Sequence, residues 1–175
     1  MSQIVFPELF TQRLHLRQLN EKDAPTIFFL RSNEIVNKFI KRARVKHMDE
    51  AYAFIQKMNK VTDEGTGNDW AITLKENSVM IGRVCLWNFS EDRTIAEIGY
   101  EMDPAYQGNG FMNEAIRSVI DYAFNKISLK KIEAYTDGAN AGSVKLLERL
   151  GFVLNPGRVD EDNPGNCIYS LDRVD

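Results

Sequence analysis

Apolar and polar positions along the first third of the chain change from a strand pattern to a helical one. Over residues 11–19 leucines alternate with basic and polar side chains, which predicts a half-buried strand. Residues 20–30 begin with capping side chains and continue with an apolar face at helical spacing, which predicts a helix. The same spacing predicts a short helix over 34–40 and a longer one over 47–60.

A polar, glycine-containing loop at 62–68 marks a change to strand patterns. Short apolar runs predict strands at 70–75, 80–89 and 95–102, joined by turns of three or four residues. Strands with such short connections pair antiparallel.

The last third of the chain alternates between helix and strand. A helix that starts at about residue 111 leads to a strand at 131–136, which a helical crossover should make parallel to strand 95–102. A helix that uses Val144, Leu147 and Leu150 ends at Gly151, and strands at 152–154 and 167–171 form a final pair.

The turn between strand 95–102 and its helix contains two closely spaced glycines. At a helix N-terminus the first backbone N–H groups have no partner, so Gly108 and Gly110 would let an anion such as a phosphate approach the backbone. A plain connection whose glycines supply positive φ remains an alternative. The turn lacks the Gly-Lys-Ser/Thr of a P-loop, and Asn113 breaks the dinucleotide-binding fingerprint.

Composition places the chain among ordinary globular proteins. It has 175 residues, 43% hydrophobic and 27% charged, and we expect one domain over 1–175. A net charge of -3 argues against nucleic acid as a partner. The sequence shows neither a signal-like N-terminus nor an apolar stretch long enough for a bilayer, so we expect no membrane partner and a cytoplasmic location.

The few cysteines and histidines point away from metal or disulfide chemistry. Cys85 and Cys167 lack C-x-x-C spacing, which predicts reduced thiols. His15 and His47 do not make metal-ligand spacing, so no metal site is expected.

Residues 11–17 (TQRLHLR), 96–115 and 140–152 (NAGSVKLLERLGF) carry three separated motifs. Together they resemble the GNAT acetyltransferase superfamily, and most closely its RimJ/RimL-like branch. Residues 96–100 (AEIGY) with 104–115 (PAYQGNGFMNEA) are similar to its acetyl-coenzyme A signature. Residues 140–152 match its N-x-x-S and L-E-K-L-G-F segments, with Arg149 in place of the usual lysine, and residues 11–17 match its T-x-R-L-x-L-R strand. The resemblance covers about residues 11–172.

The resemblance implies an α/β fold with a central mixed, mostly antiparallel sheet, helices on both faces, and a splay beside strand 95–102 where acetyl-CoA lies. In the family the turn binds the coenzyme A pyrophosphate, and the strand before it binds the pantetheine arm. It thus implies these cofactor-binding residues: Ile98, Gly99, Tyr100, Gln107, Gly108, Asn109, Gly110, Phe111, Met112 and Asn140. A homodimer is plausible by family analogy.

Acetyl transfer to an amine needs a base, an oxyanion donor and an acid for the departing thiolate. Strand alternation puts Glu97, Gly99 and Glu101 on one face, and the resemblance favours Glu97 as base, although a solvated structural role stays open. The resemblance implies that the oxyanion donor is a strand N–H near Ile98 to Tyr100. Ser143 matches the branch's acid, but a serine before a helix is also a good N-cap. Tyr106 and Tyr135 are reserve acids.

The implied function is an acetyl-CoA-dependent N-acetyltransferase that moves acetyl directly to a primary amine. Acceptors in this branch include protein N-termini, polyamines and other small amines, and we expect acceptor contacts from residues 24–60 and 155–166. Acidic side chains such as Glu97 and Asp160 would suit a cationic acceptor. The alternative is a non-catalytic acyl-CoA-binding regulatory module.

Overall fold

The computed structural model describes residues 5–174 and is built on one eight-stranded sheet. The spatial order of the strands is β1-β2-β3-β4-β5-β6-β8-β7. The strands are β1 (Leu9–Phe10), β2 (Leu14–Gln18), β3 (Asn68–Leu74), β4 (Met80–Trp87), β5 (Ile95–Met102), β6 (Lys131–Asp137), β7 (Val153–Leu154) and β8 (Asn166–Asp172). The helices are α1 (Ala24–Ser32), α2 (Met48–Asp63), α3 (Phe111–Asp121) and α4 (Ala141–Arg149).

The sheet opens in its middle. Strands β1 to β5 pair antiparallel in chain order, and the register between β4 and β5 runs without interruption. Strand β6 is parallel to β5, but their pairing covers only Ile95 to Glu97. On its other side β6 pairs with β8 along its whole length, Lys131 to Asp137, whereas after Glu97 strand β5 is no longer in register with β6. The predicted mixed sheet and its splay are therefore confirmed.

Each face of the sheet has its own hydrophobic core. On the first face, Ile98 and Met102 of β5 pack in one buried cluster with Ile116 of α3 and Leu147 of α4. On the second face, α1 and α2 pack on β3 and β4 around a second cluster that includes Ala71. Alternation along β5 puts Tyr100 on the first face and Glu97, Gly99 and Glu101 on the second.

Residues 34–40 form successive turns and not the predicted helix. The side-chain oxygen of Asn33 accepts hydrogen bonds from the N–H groups of Ile35 and Val36, at 2.9 and 3.1 Å. The amide of Asn37, in turn, donates to the carbonyls of Leu30 and Asn33. The Asn37 N–H bonds the Asn33 carbonyl four residues back at 3.2 Å, but the N–H groups of Lys38 and Ile40 bond carbonyls three residues back, at 3.4 and 3.1 Å. The repeated four-residue bonds of an α-helix are therefore not formed.

Smaller differences lie at element ends. Helix α2 continues three residues past the predicted end, and β3 begins at Asn68 within the predicted loop. A polar residue fits inside β3 because Asp69 pairs with Arg83 of the neighbouring strand. Strand β1 and the π-helical turn Tyr122–Lys126 after α3 were not predicted.

Within residues 5–174, every helix is too short or too polar to cross a membrane.

The motif at residues 11–17 is connected to α3 by the carboxylate of Glu114. Glu114, in the first turn of α3, accepts hydrogen bonds from the Thr11 hydroxyl at 2.6 Å and from the Arg13 backbone N–H at 2.8 Å. The Arg13 guanidinium donates to the same carboxylate at 2.7 Å. Two motifs about a hundred residues apart thus form one junction beside the glycine turn.

Glu114→Gln is expected to lower stability at neutral pH by about 1–2 kcal/mol, or Tm by about 2–8 °C, because it removes charge-assisted bonds. Although burial opposes ionisation, the bonds from Thr11 and Arg13 lower the pKa of Glu114. Because the pKa of Glu114 in the folded protein is below its ordinary value of 4.5, the ionised carboxylate stabilises the fold at pH values above 4.5. This stabilisation is lost as the pH falls through the pKa of Glu114 in the folded protein. The difference in Tm between the variant and the parent should therefore shrink in acid.

Calorimetry at pH 7 and in acid measures this difference, with the exposed Glu148→Gln as control. A pH-independent difference would contradict the assignment.

Candidate active site

A cleft of about 1180 Å³ occupies the gap between β5 and β6 and reaches both faces of the sheet. On the first face it is lined by the start of α4 and by five residues of the glycine turn, Gln107, Gly108, Gly110, Phe111 and Met112. On the second face it is lined by Glu97, by residues 35–41 and by residues 158–163. Both segments expected to contact the acceptor therefore contribute to the wall of the second face.

The glycine turn is built to expose backbone. Gly108 and Gly110 both have φ of +79°, a left-handed conformation that favours glycine. Gly110 is the N-cap of α3 and has no side chain to bond the first helical N–H groups. The guanidinium of Arg13 donates to the Asn109 carbonyl at 2.9 Å, and the side chain of Gln107 donates to the Met102 carbonyl at 3.1 Å. These bonds fix the turn from both sides.

The turn fits a coenzyme A pyrophosphate. A β-carbon at Gly108 would have no described neighbour within 4 Å, so the space beside the backbone is open. The N–H groups of Phe111 and Met112 begin α3, where the helix dipole favours an anion. The side-chain nitrogen of Asn113, which also lines the cleft, is buried and has no partner among the described residues. Nothing in the sequence pattern singled out Asn113 as a donor.

Three hydroxyl groups form a chain on the first face. The Tyr100 hydroxyl lies 2.6 Å from Ser143 Oγ, and the Thr136 hydroxyl donates to Ser143 Oγ at 2.9 Å. Burial raises the pKa of Tyr100 to about 12, so its hydroxyl stays protonated. The N-cap of α4 is Asn140, whose side-chain oxygen accepts from the Ser143 N–H at 3.2 Å. The hydroxyl of Ser143 is thus free of a capping role.

The sequence resemblance predicts only a cofactor contact for Tyr100 and no role for Thr136. Strand alternation puts Tyr100 on the first face, but no local pattern connects it to a serine 43 residues away.

Glu97 is half-buried on the second face. Burial raises its pKa to about 7; a hydrogen bond from Asn88 opposes the shift, and the carboxylates of Asp160 and Glu133 add to it. The Asn88 amide lies 3.4 Å from Glu97, and Glu133 is its registered neighbour on β6. A carboxylate with this pKa is suited to accept a proton near neutral pH.

Two of the other candidate acids and bases are engaged by charged side chains. Glu101 is buried and bonds to Arg42 at 2.6 Å and to Arg83 at 3.2 Å. The Tyr135 hydroxyl bonds to Glu133 and Arg158 on the second face. Tyr106 lines the cleft and stays a reserve acid. No group of three His, Cys, Asp or Glu residues within 5–174 is arranged to hold a metal ion.

The candidate residues are therefore brought together around one opening. On the first face the cleft brings together Ile98 and Tyr100 of β5, the start of α4 with Asn140 and Ser143, and the turn residues Gln107, Gly108, Gly110, Phe111 and Met112. Glu97 and Gly99 lie on the second face, and the predicted cofactor contact Asn109 is not part of the cleft lining. Acetyl transfer requires an anion site, a proton donor and a base around one passage, and the cleft supplies candidates for each.

Comparisons with known proteins agree with this arrangement. The family model described as acetyltransferase (GNAT) domain matches residues 13–153. The uncharacterized N-acetyltransferase YoaA of Bacillus subtilis is 33% identical over 148 residues, which are 85% of this chain and 84% of that protein. The spermidine N(1)-acetyltransferase of Vibrio cholerae is 33% identical over 82 residues, 47% of each chain.

Among solved structures, RimL, the ribosomal L7/L12 alpha-N-protein acetyltransferase in complex with coenzyme A, superimposes with a TM-score of 0.82 at 16% identity. The match covers 95% of this chain and 98% of that one.

Proposed function

The chain belongs to the GNAT acetyltransferase family as an N-acetyltransferase that uses acetyl-CoA, and from this premise we propose direct transfer of acetyl to a primary amine. One observation carries the proposal. A single cleft joins the exposed backbone of the glycine turn on one face of the sheet to Glu97 on the other. Donor and acceptor would thus enter from opposite faces and meet between β5 and β6.

On the acceptor side, Glu97 would remove a proton from the bound ammonium group, directly or through water. Its raised pKa of about 7 gives a carboxylate that is ionised above neutrality and still basic enough to accept a proton. Acetyl-CoA supplies a thioester carbonyl that the neutral amine can attack. A backbone N–H of residues 98–100, on the edge of β5 that β6 leaves open, would donate to the carbonyl oxygen as negative charge develops there.

On the donor side, the hydroxyl chain of Tyr100, Ser143 and Thr136 would protonate the departing sulfur. Ser143 is central, because its oxygen lies within hydrogen-bond distance of both other hydroxyls. A proton given up by Ser143 can be replaced from Tyr100, whose hydroxyl stays protonated at neutral pH. No acyl-enzyme is required, in keeping with the burial that raises the pKa of the Cys85 thiol to about 12.

Ser143→Ala is expected to lower kcat by about 100-fold, the scale of a lost general acid, and to leave the Kd for coenzyme A within about twofold. Tyr100→Phe should lower kcat less if Ser143 is the immediate donor. Steady-state thiol release measures both, with Ser118→Ala as control because its hydroxyl bonds to the Ala115 carbonyl in α3. If Ser143→Ala and Tyr100→Phe both kept the parental kcat, the three hydroxyl groups would have no role in protonating the departing sulfur.

The second face of the cleft combines exposed apolar side chains with charged side chains of both signs. Ile35, Trp87 and Val159 line it and are 69%, 47% and 67% exposed. The carboxylate of Glu133 is paired with Arg158, and Asp160 accepts three hydrogen bonds from its own loop. Glu161 and Asp162 also line this face as exposed carboxylates, but the exposed ammonium groups of Lys38 and Lys41 line it too and would repel a polycation. The apolar side chains therefore favour an amine with an apolar neighbour, such as a peptide N-terminus, over a polyamine.

The relatives include enzymes named for each of these two acceptor classes: RimL is named for a protein N-terminus and the Vibrio enzyme for spermidine. A competition assay tests it: acetyl-CoA is offered with equimolar spermidine and a peptide with an apolar first residue, and the products are measured by mass spectrometry. Preferential acetylation of the peptide is expected. Preferential acetylation of spermidine would contradict the assignment of the acceptor class.

A further inference from the structure

Residues 33–46, here called the wall segment, join α1 to α2 without forming a helix or strand. The segment nevertheless lines the second face of the cleft with Ile35, Phe39 and Ile40. A turn-rich connection has little cooperative structure of its own, so its position depends on what anchors it.

The anchor is polar and buried. Asn37 is only 1% exposed and bonds back to the end of α1. The Arg42 guanidinium donates to Asn37 Oδ1 at 2.7 Å, to the Leu30 carbonyl at 3.2 Å and to Glu101 Oε2 at 2.6 Å. One side chain thus joins the wall segment, the end of α1 and strand β5.

Glu101 is itself held by the sheet. Arg83 of β4 donates to Glu101 at 3.2 Å and to both oxygens of Asp69 of β3, with Nε to Oδ1 at 3.0 Å. Two carboxylates and two guanidinium groups therefore alternate across three strands into the wall segment, and their charges balance. Burial opposes the ionisation of Glu101, but Arg83 and Arg42 together lower its pKa, so it stays charged.

Such a buried network is a weak source of stability, because desolvation offsets most of the attraction. Its geometric effect is larger, because a planar guanidinium with three fixed bonds permits one placement of its partners. Glu101 lies four residues after Glu97 on the same face of β5, so the network ties the wall segment to the strand that bears the proposed base.

We propose that Arg42 is a positioning residue that holds the wall segment as the acceptor-side wall of the cleft at a fixed distance from Glu97. The proposal rests on the proposed function only in taking the second face as the acceptor side. Arg42 does not itself reach the reacting atoms, because all three of its bonds go to Asn37, Leu30 and Glu101.

The anchoring is tested without any acceptor by hydrogen exchange of the coenzyme A complex. In Arg42→Met, amides of residues 34–41 should exchange at least about tenfold faster than in the parent, while those of β4 and β6 stay within about twofold. Arg44→Met is the matched control, since Arg44 is an exposed arginine of the same segment that bonds the Asn33 carbonyl at 2.9 Å. Equal protection in both variants, or faster exchange throughout the sheet, would overturn the proposal.

The positioning role is tested by kinetics with the best amine of a peptide and polyamine panel. Arg42→Met should raise the acceptor KM about tenfold, with kcat and the Kd for coenzyme A within about threefold. Arg42→Lys, which keeps the charge facing Glu101 but loses the fork to Asn37 and Leu30, should give an intermediate KM. If Arg42→Met does not fold, Glu101→Gln tests the same bond and should also raise the acceptor KM.

An unchanged acceptor KM with a loosened wall segment would overturn the positioning role. If the parent protein acetylates none of the panel, the proposed function fails, and the exchange comparison still decides whether Arg42 anchors the wall segment.

Discussion

Gly108→Val is expected to weaken coenzyme A binding by about 10- to 100-fold. The backbone at Gly108 has φ of +79° and faces open space at the glycine turn. A branched side chain there would fill the space beside the N–H groups that begin α3 and would strain the turn. Loss of hydrogen bonds to a charged group costs about 1.5–3 kcal/mol, which corresponds to that range of affinity. Titration calorimetry with coenzyme A measures the change.

Gly65→Val separates the strain from the lost ligand contact. Gly65 has φ of +69°, and a β-carbon there would also have no described neighbour within 4 Å, but it lies in the loop after α2. Both variants should lose similar stability, and only Gly108→Val should lose coenzyme A affinity. Parental affinity in Gly108→Val would contradict the assignment of the turn to the pyrophosphate.

Glu97→Gln is expected to lower kcat by about 100-fold or more, the scale of a lost general base. In the parent, kcat/KM should rise with pH through about 7, because burial raises the pKa of Glu97 to that value and only the ionised form accepts a proton. Glutamine cannot titrate, so this rise should be absent from the variant, while coenzyme A affinity stays within about twofold. A rise in kcat/KM caused by deprotonation of the acceptor amine itself would occur in both proteins, so only the difference between the two pH profiles reports on Glu97.

Glu91→Gln serves as the control, because Glu91 is an exposed carboxylate in the turn between β4 and β5. The control should show the parental pH profile of kcat/KM. If Glu97→Gln also kept that profile and its kcat, a different group would be the base.

Most of the fold could be predicted because it follows from local patterns. The run at 95–102 gives β5 with the predicted bounds, and the crossover through α3 gives its parallel pairing with β6. The positive φ of Gly108 and Gly110 also follows from sequence, since a tight turn before a helix needs it. The turns over 34–39 were not predicted because the apolar spacing of this segment suits a helix, whereas the N–H groups of Lys38 and Ile40 bond only three residues back.

The site was predictable only where one element supplies it. The alternation of side chains along β5 is enough to predict from the sequence that Glu97 and Tyr100 lie on opposite faces of the sheet. The contact of Tyr100 with Ser143, and of Arg42 with Glu101, joins residues 43 and 59 positions apart, and no local pattern gives such pairs. The preference for Glu97 over Glu101 as base gains physical support, since two arginines engage Glu101. A homodimer and one domain over 1–175 stay predictions.

The central claim is direct transfer of acetyl to a primary amine with Glu97 as base. The most direct test is a single-turnover reaction of the enzyme, labelled acetyl-CoA and the preferred amine, in which product and intact enzyme are both weighed by mass spectrometry. We predict labelled N-acetylated amine in step with thiol release, no acetyl group on the enzyme, and a rate about 100-fold lower in Glu97→Gln. Labelled acetyl-enzyme that forms before the product, or an undiminished rate in Glu97→Gln, would contradict the account.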